Sequence, residues 1–125
     1  MQIRRHGFTL IELLVVFAII ATLLSLVAPR YFKSIERAKE AALKENLVML
    51  RDALDKYHGD TGRYPAALED LVTARYIRKV PVDPVTDSDT TWIIIPSADT
   101  AKGAVYDIRS GAAGTSSTGM PYREF

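Results

Sequence analysis

Gly7-Phe8-Thr9-Leu10-Ile11-Glu12 opens a run, Phe8 to Pro29, in which Glu12 is the only charged side chain. From Phe8 to Ala28 such a run makes a helix of about 30 Å, enough to span a hydrocarbon core. Arg4 and Arg5 stand just before it and favour a cytoplasmic N-terminus, which puts the chain beyond Pro29 on the far side of the membrane. An acidic side chain at the centre of a membrane helix costs about 2.5–3.5 kcal/mol and calls for a partner, yet the run holds no cation. Two readings of Glu12 follow. Either it reaches back to water from the headgroup boundary, or a cut between Gly7 and Phe8 frees an α-amino group four residues away, at helical i, i+4 spacing. In a polymer, that ammonium can come from a neighbouring copy.

Arg4-Arg5-His6-Gly7-Phe8-Thr9-Leu10-Ile11-Glu12 resembles the class III leader and cleavage site of the type IV pilin-like family, which includes the pseudopilins of type II secretion. The resemblance implies a leader over 1–7, cleavage by a prepilin peptidase between Gly7 and Phe8, and N-methylation of Phe8. It makes Phe8 and Glu12 the assembly residues. Two other readings compete. A removed secretory signal has a shorter apolar core and a small-x-small cleavage site, for which only Ala18, Ala21 and Ala28 offer candidates. An uncleaved signal anchor would instead keep Met1 and hold a periplasmic domain that never polymerises.

Beyond Pro29, which is expected to kink or interrupt the helix, the pattern becomes amphipathic. Leu43, Leu47, Leu50, Leu54 and Tyr57 recur at spacings of four, three, four and three, one apolar stripe of a helix reaching about His58 and ending at Gly59. Glu40 with Lys44 and Asp52 with Lys56 are expected as i, i+4 pairs on its exposed side. A short helix is expected from Ala66 to about Ala74, with Tyr76 and Ile77 closing the core behind it. Val80-Pro81-Val82-Asp83-Pro84 reads as an extended connector. Thr91 to Ile95 and Ala104 to Ile108 read as an antiparallel hairpin. After Arg109 an exposed loop is expected, then a return of Met120, Pro121, Tyr122 and Phe125 to the core, with room for a short terminal strand. The fold class is therefore α+β: a long bent N-terminal helix packed on a short helix and a small antiparallel sheet. Its parts are a leader (1–7), a transmembrane or filament-core helix (8–29) and a periplasmic domain (30–125).

That order of elements, with Tyr57, Gly62-Arg63-Tyr64-Pro65 and Pro81, Asp83, Pro84, is similar to the major (G-type) pseudopilins of type II secretion. The resemblance implies calcium bound by aspartates of the C-terminal loop. Here that stretch reads Ser110-Gly111-Ala112-Ala113-Gly114, and no carboxylate lies between Gly111 and Tyr122. Calcium takes six to eight oxygen ligands, several of them carboxylates. No cofactor is therefore expected. Asp83, Asp87 and Asp89 form the one dense acidic patch, in which Asp87-Ser88-Asp89 has a spacing that a calcium loop could use and that a solvated polar turn explains equally well. The Ser and Thr residues from Thr115 to Thr118 are expected to hold the loop instead.

The 16 basic and 15 acidic residues are mixed along the chain, so nothing marks a nucleic-acid footprint. There is no cysteine, hence no disulfide or thiol chemistry. No nucleophile elbow, phosphate loop or metal-ligating His pair is present, and His58 sits at a helix end, so no enzyme is expected. The resemblance implies an inner-membrane, single-pass subunit that polymerises into a periplasmic filament and drives protein export across the outer membrane. Its implied partners are its own copies, other pseudopilins, the prepilin peptidase, and an inner-membrane assembly platform with its cytoplasmic ATPase. A type IV pilus pilin, serving adhesion, motility or DNA uptake, is the alternative.

Overall fold

The computed structural model describes residues 2–125. Met1, the first residue of the expected leader, lies outside them. The elements run α1 (Leu10–Thr61), α2 (Leu68–Thr73), β1 (Ile93–Ile95), η1 (Thr100–Lys102), β2 (Asp107–Arg109) and η2 (Tyr122–Glu124), the η elements being single 3₁₀ turns. The chain divides into two compact units, Met1–Ile35 and Glu36–Phe125.

In the first unit, residues 2–9 carry no regular structure and the apolar part of α1 begins at Leu10. The helix continues through Pro29, where a kink or an interruption was expected, so the interruption does not occur. A proline removes only the bond from its own nitrogen to the carbonyl four residues back, here Ser25, and the ladder on either side continues. Side-chain hydroxyls add local bonds just upstream: Thr22 Oγ1 donates to the Ala18 carbonyl (2.8 Å) and Ser25 Oγ to that of Thr22 (2.7 Å).

In the second unit, the stripe behaves as its spacing requires: Leu43, Leu47, Leu50 and Leu54 are buried and meet Leu68 and Leu71 of α2, Ile77, Trp92, Val105, Ile108, Ala112 and Tyr122 in one core. Each fully buried side chain of this size contributes about 1.5–3 kcal/mol. Lys56 pairs with Asp52 (2.8 Å) on the outside, as expected. Glu40 does not join Lys44 on that side. It is buried, for a reason given below.

α1 runs three residues past its expected end. Gly62, not Gly59, takes the left-handed backbone (φ 73°), and its N–H donates to the His58 carbonyl (2.8 Å). Tertiary contacts hold the extra turn. The Tyr76 hydroxyl donates to Asp60 (2.5 Å), and the His58 ring stacks on Tyr64 at 4.3 Å between centroids.

α2 is six residues long, and Asp70 caps it by accepting from the Ala66 and Ala67 amides (3.0 and 3.2 Å). It ends in a Schellman turn: Tyr76 N–H donates to the Leu71 carbonyl (2.9 Å) and Arg75 N–H to that of Val72 (3.1 Å), with Arg75 left-handed (φ 64°).

The expected hairpin forms with shorter strands, as Ile93 pairs with Arg109, Ile94 with Ile108 and Ile95 with Asp107. Trp92 precedes β1 and buries its ring, donating Nε1–H to the Pro81 carbonyl (2.8 Å). A Cβ on Gly103 would lie 2.1 Å from the Tyr64 carbonyl oxygen, and one on Gly111 would lie 1.9 Å from that of Thr91. Both positions are therefore closed to any larger residue. At the end of the chain Tyr122 returns to the core as expected, but as a 3₁₀ turn rather than a strand, and Met120 remains exposed.

Candidate functional site

The site begins where the helix does. Thr9 is the N-cap of α1, its Oγ1 accepting the Glu12 N–H (3.2 Å) while Glu12 Oε2 accepts the Thr9 N–H (2.8 Å). This is a reciprocal capping box, Ser/Thr-x-x-Glu, which satisfies two of the amide donors that every helix start leaves free. The carboxylate that had no cation in the run thus has a neutral partner in its own chain. The Thr9-x-x-Glu12 spacing of a capping box is legible in the sequence itself.

The box places the rest. Gly7 and Phe8 lie in exposed chain just ahead of the first helical residue, nothing approaches within 4 Å of a Cβ built on Gly7, and Phe8 is 89% exposed. The peptide bond between them lies outside the helix, in exposed chain. Glu12 is held one residue from the Phe8 nitrogen by its bond to the next amide. From Leu10 to Val27 large apolar side chains are exposed on every side of the helix. Among the described residues α1 is the one helix long and apolar enough to cross a membrane.

A second cluster lies in the unit Glu36–Phe125 and was missed from sequence. Glu40 Oε1 accepts the Ser117 N–H (2.5 Å) and the Tyr122 hydroxyl (3.4 Å), and Oε2 accepts the Ser117 hydroxyl (2.8 Å). The Ser117 hydroxyl, with its amide, the Tyr122 phenol and the charge of Lys44, holds the Glu40 carboxyl below its ordinary range against the opposing effect of burial. Burial first, and then the Glu40 charge, push the Tyr122 phenol up. At neutral pH a carboxylate therefore accepts from a neutral phenol. The signal was available: Glu40 lies three residues before Leu43 and so continues the apolar stripe by one step. Arg51 forms a third tie, donating to Asp107 Oδ1 (2.9 Å) and to the main-chain oxygens of Ile108 (2.9 Å) and Phe125 (2.8 Å).

The candidate metal residues do not come together. Asp83 is fully buried and its carboxylate is committed: Oδ1 accepts the Val85 N–H (2.8 Å) and Oδ2 the Ser110 hydroxyl (2.5 Å). Its backbone closes a turn with Ser88 (2.9 Å), in which Asp87 takes a left-handed conformation (φ 55°) that aspartate tolerates. Asp87 and Asp89 face solvent. Among the described residues no three His, Cys, Asp or Glu side chains are gathered as a metal ion needs. His58 lies against Tyr64.

One protein family and one kind of relative bear on these features. The family described as the prokaryotic N-terminal methylation motif matches residues 3–28, which contain the box, the exposed Gly7–Phe8 bond and the apolar helix. The type II secretion system core protein G of Klebsiella pneumoniae is 38% identical over 97 residues, covering 65% of this chain and 69% of that protein. The core protein G of Escherichia coli K12 is 36% identical over 97 residues (65% and 67%), and that of Pseudomonas aeruginosa is 36% identical over 97 residues (65% and 68%). No solved structure matches the chain. With the methylation motif at its head and this likeness extending well past it, the chain belongs to the family of type II secretion system core protein G, the pseudopilins.

Proposed function

We propose that this chain is a structural subunit of a type II secretion pseudopilus, made as a precursor, cut between Gly7 and Phe8, methylated on Phe8 and polymerised to drive proteins across the outer membrane. The observation that carries this is the head of α1: an exposed Gly7–Phe8 bond, a Thr9–Glu12 box and a helix apolar on all sides, in a chain that belongs to the core protein G family. Residues 1–7 are the leader, 8–29 the membrane and filament-core segment, and 30–125 the periplasmic domain. Arg4 and Arg5 keep the leader cytoplasmic.

In the membrane the apolar helix anchors the subunit. In the filament the same surface packs on copies of itself and on other pseudopilins. Glu12, already turned toward the chain start by Thr9, accepts the Phe8 ammonium of a neighbour, which sets axial register and offsets the carboxylate's desolvation. The chain supplies packing and register, while cleavage is the work of the prepilin peptidase. Extraction from the membrane falls to an assembly platform and its ATPase.

The test is the intact mass and N-terminal peptide of the protein taken from membranes of its native host. N-methylated Phe8 as the first residue is the expected result. A functional protein still carrying Met1 would overturn the reading and leave a signal-anchored periplasmic domain in its place.

A further inference from the structure

The segment from Ser110 to Phe125 is where the family resemblance implies a calcium loop, and the residues present do not fit one. Between Gly111 and Tyr122 there is no carboxylate, Asp83 is buried and committed to Ser110 and Val85, and Asp87 and Asp89 point to solvent. What the segment has instead is a closed set of its own bonds. Thr115 bridges Pro121, Ser116 N–H donates to the Met120 carbonyl (2.8 Å), Gly119 N–H to that of Ser116 (3.0 Å), and Tyr122 N–H to that of Gly114 (3.2 Å). The Ser116 and Thr118 hydroxyls bond each other (2.8 Å) across the turn. The expected contribution of the Ser and Thr run is thus real, although Thr115 takes part through its backbone bridge.

These bonds close the loop on itself but do not attach it to the domain. Beside the burial of Ala112 and Tyr122 in the core, polar attachment of the loop's tip falls to Glu40, whose two oxygens take the amide and hydroxyl of Ser117 and the phenol of Tyr122, across more than seventy residues of sequence. A multivalent cation orders a loop by gathering its oxygens. A buried carboxylate can order one by gathering its N–H and O–H donors, and charge-assisted bonds are about twice as strong as neutral ones. Glu40 is only 7% exposed, and a carboxylate so placed needs such donors.

We propose that Glu40 is the anchor of the C-terminal loop, holding it by its donors so that the periplasmic domain of this subunit is ordered without calcium. The inference stands whether or not the chain polymerises, since every residue in it lies in Glu36–Phe125. Two ties flank the anchor and take no metal either. Ser110 hangs from Asp83 at the loop's start, and the Phe125 main-chain oxygen accepts from Arg51 at its end.

The experiment uses the full chain in detergent micelles, with amide hydrogen exchange over residues 111–122 and thermal unfolding, each in millimolar calcium chloride and in EGTA. The expected result for the unaltered chain is the same loop protection and the same Tm in both. Glu40→Ala should speed exchange of the Ser117 amide about ten- to a hundredfold, with no recovery in calcium. Glu40→Gln, which keeps an acceptor and loses the charge, should fall between. Ser117→Ala, which keeps the amide bond and loses the hydroxyl, should resemble the Gln variant. Should Glu40→Ala fail to fold, those two milder variants decide the matter. Calcium-dependent protection or a calcium-dependent rise in Tm in the unaltered chain would overturn the proposal, as would unchanged loop exchange in the Glu40 variants.

Discussion

Glu12 and Glu40 are both carboxylates of one helix, and within this chain each is hydrogen-bonded by a backbone N–H, that of Thr9 and that of Ser117. At Glu12 the partner is the Thr9 amide, so the side chain is a helix cap, and under the proposed function it is also a charge for assembly. Substitutions separate the two roles. Glutamine also completes a capping box, whereas alanine does not. Glu12→Gln should therefore leave the first turn of α1 as protected in hydrogen exchange as before while filament assembly is lost. Thr9→Ala should fray that turn by about 1 kcal/mol and leave the charge in place. Full assembly by Glu12→Gln would show that only the cap matters. At Glu40 the folded-state pKa is lowered, so the stability it contributes is present above the unfolded value, near 4.5, and is lost as pH falls through the lower folded value. The groups facing it are Tyr122 from the loop and Glu36, Lys39 and Lys44 of its own helix. Of these only Glu36 is another carboxylate. The amide chemical shift of Ser117 should follow the Glu40 carboxyl in an acid titration and show no such step in Glu40→Gln. A step that persists in the variant would mean that the Ser117 amide reports some group other than Glu40. Sequence made Glu12 conspicuous because it stood alone among apolar residues, and hid Glu40 because it stood among other charges. Only its place in the stripe marked it.

The elements were legible to the extent that their causes are local. The stripe from Leu43 to Leu54, the apolar face of α2 and the two β-rich runs are periodic signals, and the structure buries or pairs them as the period requires. The ends were harder. Gly59 looked like the stop of α1, yet the contacts from Tyr76 to Asp60 and from Tyr64 to His58 come from the segment after the helix and draw the stop on to Gly62. α2 shows the converse: its Schellman turn has Arg75, not glycine, at the left-handed position, so no residue type announced it. That position carries the price of a side chain at positive φ, about 1 kcal/mol, part of which glycine returns through its freer unfolded state. Arg75 is exposed, so little else changes on substitution. Arg75→Gly should raise stability by up to about 1 kcal/mol, several degrees in Tm for a domain of this size. Arg75→Ala should be near neutral and Arg75→Val destabilising, because a β-branched residue tolerates the left-handed region least. Denaturant midpoints of the three variants give the order directly, and a valine variant as stable as the arginine protein would mean that the turn relaxes out of this conformation in solution.

For the whole molecule, the two units differ in where their apolar surface goes. Every residue of the core, from Leu43 to Tyr122, belongs to Glu36–Phe125, and the anchors Glu40, Arg51 and Asp83 do as well. The first unit contributes none of them, and its large side chains, among them Phe8, Leu14, Phe17, Ile20 and Leu24, stay exposed. A surface of that kind is stable only against lipid or against other apolar helices. The sequence therefore encodes two separable instructions, one for folding a small domain and one for placing it in a membrane or a filament. Separability can be measured. A chain beginning at Glu36 should be soluble without detergent and monomeric, with the blue-shifted fluorescence of a buried Trp92 and one cooperative unfolding transition. Its Ser117 amide should be as protected as in the full chain, because Glu40 is retained. Loss of that transition, or aggregation that detergent relieves, would mean that residues before Glu36 are needed to complete the domain. The same preparation would then show non-native exposure of Trp92, placing the missing contact at the core rather than at the membrane.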